Sequence, residues 1–290
     1  MLRRLALAWL LALSGVAGWA GAASADIDKS WTAPLAPFRI ADNVYYVGSQ
    51  ELTSYLVVTP KGLILLDVGA PQNAPMVLNN IRALGFDPRQ IKYLLNSHAH
   101  FDHAGGLAAV KRLSGATVVA SRGDAPVLES GGRTDFFFGP KPQFPDLKVD
   151  RLIDDGGQVT LGGTTMTAHL TPGHTKGCTT WTMPVKVDGR IRQALFLCSL
   201  TILPSYRLTG DRRYPQMAAD FNHSYSVLHG LPCEVFLASH GSFYDLLAKR
   251  QAMLKHPDGP NPFVDPEGCK AFIDRGEVAF RSRLAGLQAR

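Results

Sequence analysis

The chain has 290 residues, 46% hydrophobic and 19% charged, a composition that excludes disordered, collagen-like and coiled-coil proteins and leaves room for one or two globular domains. Its formal charge of +6 is scattered, without a basic run or aromatic-basic interleaving. The footprint of a nucleic-acid binder is therefore missing.

Residues 1–25 (MLRRLALAWLLALSGVAGWAGAASA) join a basic start to an apolar stretch from Leu5 to about Leu13 and then to Ala23-Ser24-Ala25. This is the pattern of a secretory signal peptide cleaved after Ala25. Gly15, Gly18 and Gly21 break the apolar run short of the ~20 residues that a spanning helix needs. Without Arg3 and Arg4 the mature chain, 26–290, carries +4, and it has no later spanning segment. It is expected in the periplasm or outside the cell, free of the membrane. Export favours disulfides over free thiols. The four cysteines allow three pairings, of which Cys233 with Cys269 would tie the last helix to a core strand.

From Val44 the pattern is strand-rich: VYYVG, SYLVVT, a Pro60-Lys61-Gly62 turn and GLILLDVG predict a hairpin or meander. Asn73 to Leu84 has helical spacing through Val77, Ile81 and Leu84, with Gly85 as the stop. YLLNS is an apolar strand running into a histidine cluster. Leu107 to Leu113 reads as a helix, ATVVAS as a strand, and Gly131 to Asp146 as a Gly/Pro/Phe-rich loop. MTAHLT, TTWTMPVKV, ALFLCSL and EVFLAS are further strands, and helical stretches fall near Met217–Leu228, Tyr244–Leu254 and Cys269–Leu287. Two packed sheets covered outside by helices satisfy this order.

The chemistry concentrates in His98-Ala99-His100-Phe101-Asp102-His103, four possible ligands within six residues at a strand end. In extended chain His98 and His100 point to one side, so both imidazoles reach one ion. Asp102 and His103 follow as the chain turns, aimed at a neighbouring ion. His174 (LTPGHTKGC) and His240 (FLASHGSF) each follow an apolar run and adjoin glycine. Six nitrogen and oxygen ligands are enough for two zinc ions with open positions. His169, His223, His229 and His256 lack a comparable setting. Asp67, ending LILLD, is a candidate anchor for the second ring nitrogen of a ligand histidine, and Phe136-Phe137-Phe138 for an apolar wall over the site.

With H-x-H-x-D-H at 98–103 followed by His174 and His240, the chain resembles the metallo-β-lactamase superfamily from about Phe38 to the C-terminus. The resemblance implies an α/β protein, a four-layer αβ/βα sandwich of two mixed sheets with helices outside, formed as a single domain over 26–290. It does not name the substrate, because thioesterases of the glyoxalase II type, lactonases and phosphodiesterases share the fold. Those hydrolases carry a bridging aspartate after the strand that reads ALFL here, where this chain has Cys198-Ser199-Leu200-Thr201. Subclass B1 lactamases place a cysteine ligand nearby, but with arginine at the position of His103. Aligning Ser199 with the family position leaves Asp102, His103 and His240 for the second ion, which is similar to subclass B3. TPGHTKGCTTWTM and NPFVDPEGCKAF are similar to segments of secreted B3 enzymes, whose C-terminal disulfide corresponds to Cys233 with Cys269.

The function implied by the resemblance is that of a secreted monomeric β-lactamase that opens small β-lactams with a zinc-bound hydroxide. A lactonase or thioesterase is the alternative. His98, His100 and His174 would hold the first zinc and Asp102, His103 and His240 the second. Asp102 would also orient the hydroxide, Tyr206 would help polarise the lactam carbonyl, and Ser199 and Thr201 would bind the substrate carboxylate.

Overall fold

A computed structural model describes residues 28–288, and the leader expected at 1–25 lies outside them. Strands β1 (Phe38–Ala41), β2 (Val44–Tyr46), β3 (Tyr55–Thr59), β4 (Gly62–Leu66), β5 (Ile91–Leu95), β6 (Thr117–Ser121) and β7 (Arg151–Ile153) form one sheet in that order. It is antiparallel as far as β4 and parallel beyond it. A second sheet has the order β12-β11-β10-β9-β8, from β8 (Gln158–Leu161), β9 (Thr164–Leu170), β10 (Thr179–Val187), β11 (Arg190–Leu197) and β12 (Val235–Ala238). Its pairs are antiparallel except β11 with β12. The helices are α1 (Ala74–Ala83), α2 (Phe101–Ala104), α3 (Leu107–Ser114), α4 (Ala125–Glu129), α5 (Met217–Gly230), α6 (Leu246–Lys255) and α7 (Pro266–Gln288).

The two-residue period of a strand explains the layers. In β4, Ile64 and Leu66 join Tyr55, Val57, Met166, Trp181 and Phe196 in the cluster that fills the space between the sheets. Leu63 and Leu65 point the other way, into a cluster with Val77 and Ile81 of α1 and Leu107 and Val110 of α3. A strand buried on both faces reads as a continuous apolar run, which is why GLILL stands out in the sequence. Phe221, Tyr225 and Phe280 stack between α5 and α7. The expected sandwich of two mixed sheets with helices outside is the architecture found.

Trp181 ties this core to the site. It is fully buried, and its indole N–H donates to the Asn96 carbonyl at the end of β5, 3.2 Å away. Trp181→Ala therefore removes about 3–5 kcal/mol of packing and loosens the segment just before His98.

The short elements β1, β7, β8, α2 and α4 escape the sequence reading, having too few residues to show a period. Pro184 sits inside β10 without breaking a ladder. There β10 pairs with β11 alone, since its pairing with β9 is confined to Thr179–Thr182; the missing N–H falls on an unpaired edge. Two disulfides are present: Cys233–Cys269, as the resemblance implies, and Cys178–Cys198.

Candidate metal centre

The candidate ligands leave the scaffold where strands end. Asp67 follows β4, Ser97 and His98 follow β5, Cys198 follows β11 and His240 follows β12, with His174 in the turn between β9 and β10. Hydrogen bonds lace these ends together: Ser97 donates to Asp67, Thr179 N–H to the Ser97 carbonyl at 2.8 Å, Val68 N–H to the His103 carbonyl at 3.0 Å, and the Ser239 hydroxyl to the Cys198 carbonyl. Loops held in this way at the carboxyl ends of strands present side chains from a rigid frame.

Two sets of ligand atoms converge. His100 Nδ1 and His174 Nε2 lie 3.1 Å apart, and these two histidines with His98 offer one atom each within 4.8 Å of the others. In the second set His103 Nε2 stands 3.2 Å from His240 Nε2 and 3.3 Å from Asp102 Oδ2, which is 3.5 Å from His240 Nε2. His98, Asp102 and His103 also lie within 4.8 Å, so the sets share a border. A tetrahedral zinc at 2.0–2.1 Å keeps its ligand atoms about 3.3 Å apart. The buried Nε2 of His98 has no hydrogen-bond partner. Convergent lone pairs at the right spacing and an orphaned imidazole nitrogen fit a pair of divalent ions.

The other nitrogen of each histidine faces a polar group, as in metal-binding imidazoles, but at His100 Nε2 and His103 Nδ1 the facing carboxylate stands beyond hydrogen-bond distance. His98 Nδ1 meets Ser97 Oγ at 3.0 Å, and His174 Nδ1 meets the Thr201 carbonyl at 2.7 Å. Carboxylates face the remaining three: Asp135 lies 3.7 Å from His100 Nε2, Asp67 3.6 Å from His103 Nδ1, and Glu51 3.3 Å from His240 Nδ1. Asp67 thus occupies the place expected of it. Its positive φ of 57° is a strained backbone for aspartate, of the kind that persists where surrounding contacts over-determine it. Its carboxylate takes Ser97 N–H, Ser97 Oγ and Asn96 Nδ2. Asp135 takes the N–H groups of Phe137 and Phe138, and Glu51 both the N–H and the hydroxyl of Ser242.

Electrostatics separates the two sets. Burial, followed by the neighbouring imidazoles, pushes His98 and His174 well below the ordinary histidine value, which keeps lone pairs available. Burial also opposes ionisation of Asp102, but His103 and His240 outweigh it and hold the carboxyl well below the usual carboxylate range. Against the same burial, Asp102 and Asp67 push His103 up to about 10.

Around the ligands the expectations fare unevenly. Tyr206 is buried against the site, but its hydroxyl donates to the His174 carbonyl at 2.8 Å and does not face the open side. Ser199 is buried too, accepting Thr201 N–H at 3.2 Å. Thr201 is exposed and lines a cleft of about 300 Å³ with Ser242, Phe243 and Arg275. Cys198 is oxidised onto Cys178, so it offers no thiolate. The rings of Phe138 and His100 meet nearly at right angles with centroids 5.0 Å apart, and Phe137 packs on Tyr206 with centroids 4.8 Å apart. His169, His223, His229 and His256 stand apart from the centre, His169 bonding Thr182 and His229 bonding Glu277. The sequence reading missed Glu51, Asp135 and Trp31, whose ring lies 5.9 Å from that of His240. No local signal marks them, since their partners lie tens to hundreds of residues away.

The sequence profile of the metallo-β-lactamase superfamily matches residues 52–186. A hydroxyacylglutathione hydrolase of Maricaulis maris is 30% identical over 217 residues, 75% of this chain and 72% of that protein. The N-acyl homoserine lactonase AttM of Agrobacterium fabrum is 37% identical over 109 residues, 34% of this chain and 38% of its own length. Among solved structures, the FEZ-1 metallo-β-lactamase from Legionella gormanii superposes with a TM-score of 0.87 at 43% identity, covering 89% of this chain and 99% of that one. BJP-1, a subclass B3 metallo-β-lactamase of Bradyrhizobium japonicum, gives 0.83 at 40% identity, covering 90% and 98%.

Proposed function

Since the chain belongs to the metallo-β-lactamase superfamily, we propose that it is a two-zinc hydrolase of the B3 type that opens the amide of β-lactam antibiotics. The observation that carries this reading is the end of β11. Where a bridging aspartate would mark a thioesterase or phosphodiesterase, Cys198 is locked in a disulfide and Ser199 is buried on Thr201. The second set is completed instead by His103. Identity over nearly the whole length of two solved lactamases points the same way.

His98, His100 and His174 would hold one zinc and Asp102, His103 and His240 the other; bound there, the ions acidify water toward neutral pH and polarise a carbonyl. Asp102 stays ionised between two imidazoles. Its carboxylate accepts a hydrogen bond from the attacking water and so fixes the direction of attack. Phe137 and Phe138 exclude bulk water on the His100 side. Thr201 and Arg275, in the cleft beside Phe243, offer a hydroxyl and a cation to the substrate carboxylate. Tyr206 acts through its bond to the His174 carbonyl, as a brace for that ligand rather than as a donor to substrate. We further propose that residues 1–25 are removed on export and that the enzyme works in the periplasm as a single domain.

Thioester or lactone hydrolysis is the second reading, favoured by the relatives from Maricaulis and Agrobacterium. Zinc-loaded protein assayed on a carbapenem and a chromogenic cephalosporin, against an acyl-glutathione thioester and an acyl lactone, separates the two. Lactam turnover that a chelator abolishes and zinc restores is expected. Turnover confined to thioester or lactone would overturn the assignment.

A further inference from the structure

Asp124 has the setting of a helix cap but does not act as one. It stands at the N-cap of α4 in Gly123-Asp124-Ala125-Pro126, where an aspartate ordinarily accepts a hydrogen bond from the first turn of its own helix. Its side chain makes no such bond. Both oxygens turn instead toward the two loops that carry His98, His100 and His174. Oδ2 accepts the N–H of Ala99 and the hydroxyl of Thr175, each at 2.9 Å, and Oδ1 accepts the N–H of Gly177 at 2.9 Å. Ala99 is the residue between His98 and His100; Thr175 follows His174.

The approach is tight. A Cβ on Gly177 would meet Ser121 Oγ at 2.2 Å and Asp124 N at 2.3 Å, and one on Gly123 would meet the Lys176 carbonyl at 2.4 Å. Ser121 also donates to the Gly177 carbonyl at 2.6 Å. Asp124 itself is buried, 2% exposed. No other described carboxylate hydrogen-bonds to both of these loops. Asp67, Asp135 and Glu51 each face the ring of a single histidine.

We propose that Asp124 is the positioning residue of the first metal set: its carboxylate clamps the His98–His100 segment to the His174 turn and fixes the separation of the three imidazoles. The inference rests on the two-ion reading of the metal centre. A carboxylate is needed because the three donors leave no place for a donor in return. An amide has one acceptor oxygen, so its NH₂ would confront at least one of the three N–H or O–H groups. A clamp on one set acts on the affinity of that set, and outer partners of metal ligands change affinity by about 10–100-fold.

The test uses the mature protein, stripped with a chelator and titrated with zinc against a chromophoric competitor. Asp102→Ala isolates the first set and His100→Ala the second. On the Asp102→Ala background, Asp124→Asn is expected to weaken zinc binding by about 10–100-fold. On the His100→Ala background the change stays below about 3-fold. Thr175→Val, which removes one donor, weakens the first set by a smaller factor, and Thr175→Ser restores it. Equal weakening on both backgrounds, or unchanged affinity of the first set in a variant that melts like its parent, overturns the proposal. Should Asp124→Asn fail to fold, the Thr175 pair decides: unchanged first-set affinity in Thr175→Val also overturns it. Wild-type protein that binds no zinc would instead bring down the metal-centre reading itself.

Discussion

The first ligand set, His98, His100 and His174, contains no carboxylate, and Phe138 walls its His100 side. The second places Asp102 between His103 and His240, with Asp67 and Glu51 behind the two rings. Neutral nitrogens bind an ion by placement alone, whereas an anion attracts it at any approach. The first set therefore depends on the frame that spaces it, and the second on its charge. Replacing Asp102 with Ala strikes the second set where it is strongest. Even outer partners of ligands are worth ~10–100-fold, so loss of this ligand should lower kcat/KM by at least ~100-fold. Metal analysis should then find one zinc per chain, against the two expected of the wild type. Two tightly held ions in the variant would break the contrast.

Disulfides sharpen the dependence of the first set on its frame. Cys198 Sγ lies 3.6 Å from His98 Nδ1 and 3.2 Å from the Ser97 carbonyl, so the Cys178–Cys198 bridge underlies this set. Cys233–Cys269 fastens α7 far from it. Separations of 20 and 36 residues give loop-closure contributions of about 3 and about 4 kcal/mol. Cys233→Ser should thus lower Tm at least as much as Cys178→Ser. Zinc titration should order them the other way, with first-set affinity falling in Cys178→Ser alone. Parallel behaviour of the two variants in both measurements would sink the idea of a local brace.

Both sets were legible in the sequence because ligation needs particular residue types close together or just after apolar strands, and His98 to His103, His174 and His240 meet that condition. Asp67 was legible for the same reason, as a carboxylate ending a strand. The partners of His100 and His240 were not. Asp135 and Glu51 sit in stretches that read as ordinary loop, and only the fold brings them to their histidines. For Tyr206 the sequence shows a position but not a direction: packing against Phe136 and Phe137 turns its hydroxyl to the His174 carbonyl. The Cys178–Cys198 pair had no local signal of its own: strand register, with Trp181 opposite Phe196, sets Cys178 beside the end of β11. Apolar runs exposed the longer strands and also β2 and β12, whereas β1, β7, β8, α2 and α4 gave too little pattern to read.

The charge difference has its own signature in metal-free protein. Burial and neighbouring imidazoles hold His98 and His174 below the unfolded histidine value near ~6.5. Groups so depressed resist protonation in the fold, and they cost stability as pH falls below that value. His103 behaves oppositely. Burial opposes its charge, but Asp102 and Asp67 raise it to about 10, so its stabilising contribution is complete below ~6.5 and is lost as pH rises through about 10. Tm of chelator-treated protein should therefore fall on both the acid and the alkaline side, and His103→Ala should flatten the alkaline limb while also shifting the acid limb, because His103 helps hold Asp102 and His98 low. At pH 8 zinc entering the second set should release about one proton, with none from His98 or His174. Calorimetry in buffers of different ionisation enthalpy reads this directly, and equal release from both sets would erase the distinction.

The smallest effect concerns how charge continues outward from the second set. Phe243 lies 4.9 Å from the His240 ring and lines the cleft shared by Thr201 and Arg275. A substrate carboxylate in that cleft meets an exposed guanidinium, and exposed ion pairs contribute only about 0.2–1 kcal/mol. Arg275→Ala should thus raise KM for a β-lactam by no more than about 5-fold. Binding of this kind is the same in the ground and transition states, so kcat should stay at its wild-type value. Salt screens exposed charges over roughly 10 Å at 0.1 M. The difference in KM between wild type and variant should shrink as ionic strength rises, and Arg275→Lys should recover most of it. A drop in kcat, or a KM difference indifferent to salt, would take the arginine out of the docking site, leaving the cleft with the carboxylate of Asp245 and no cation for the substrate carboxylate.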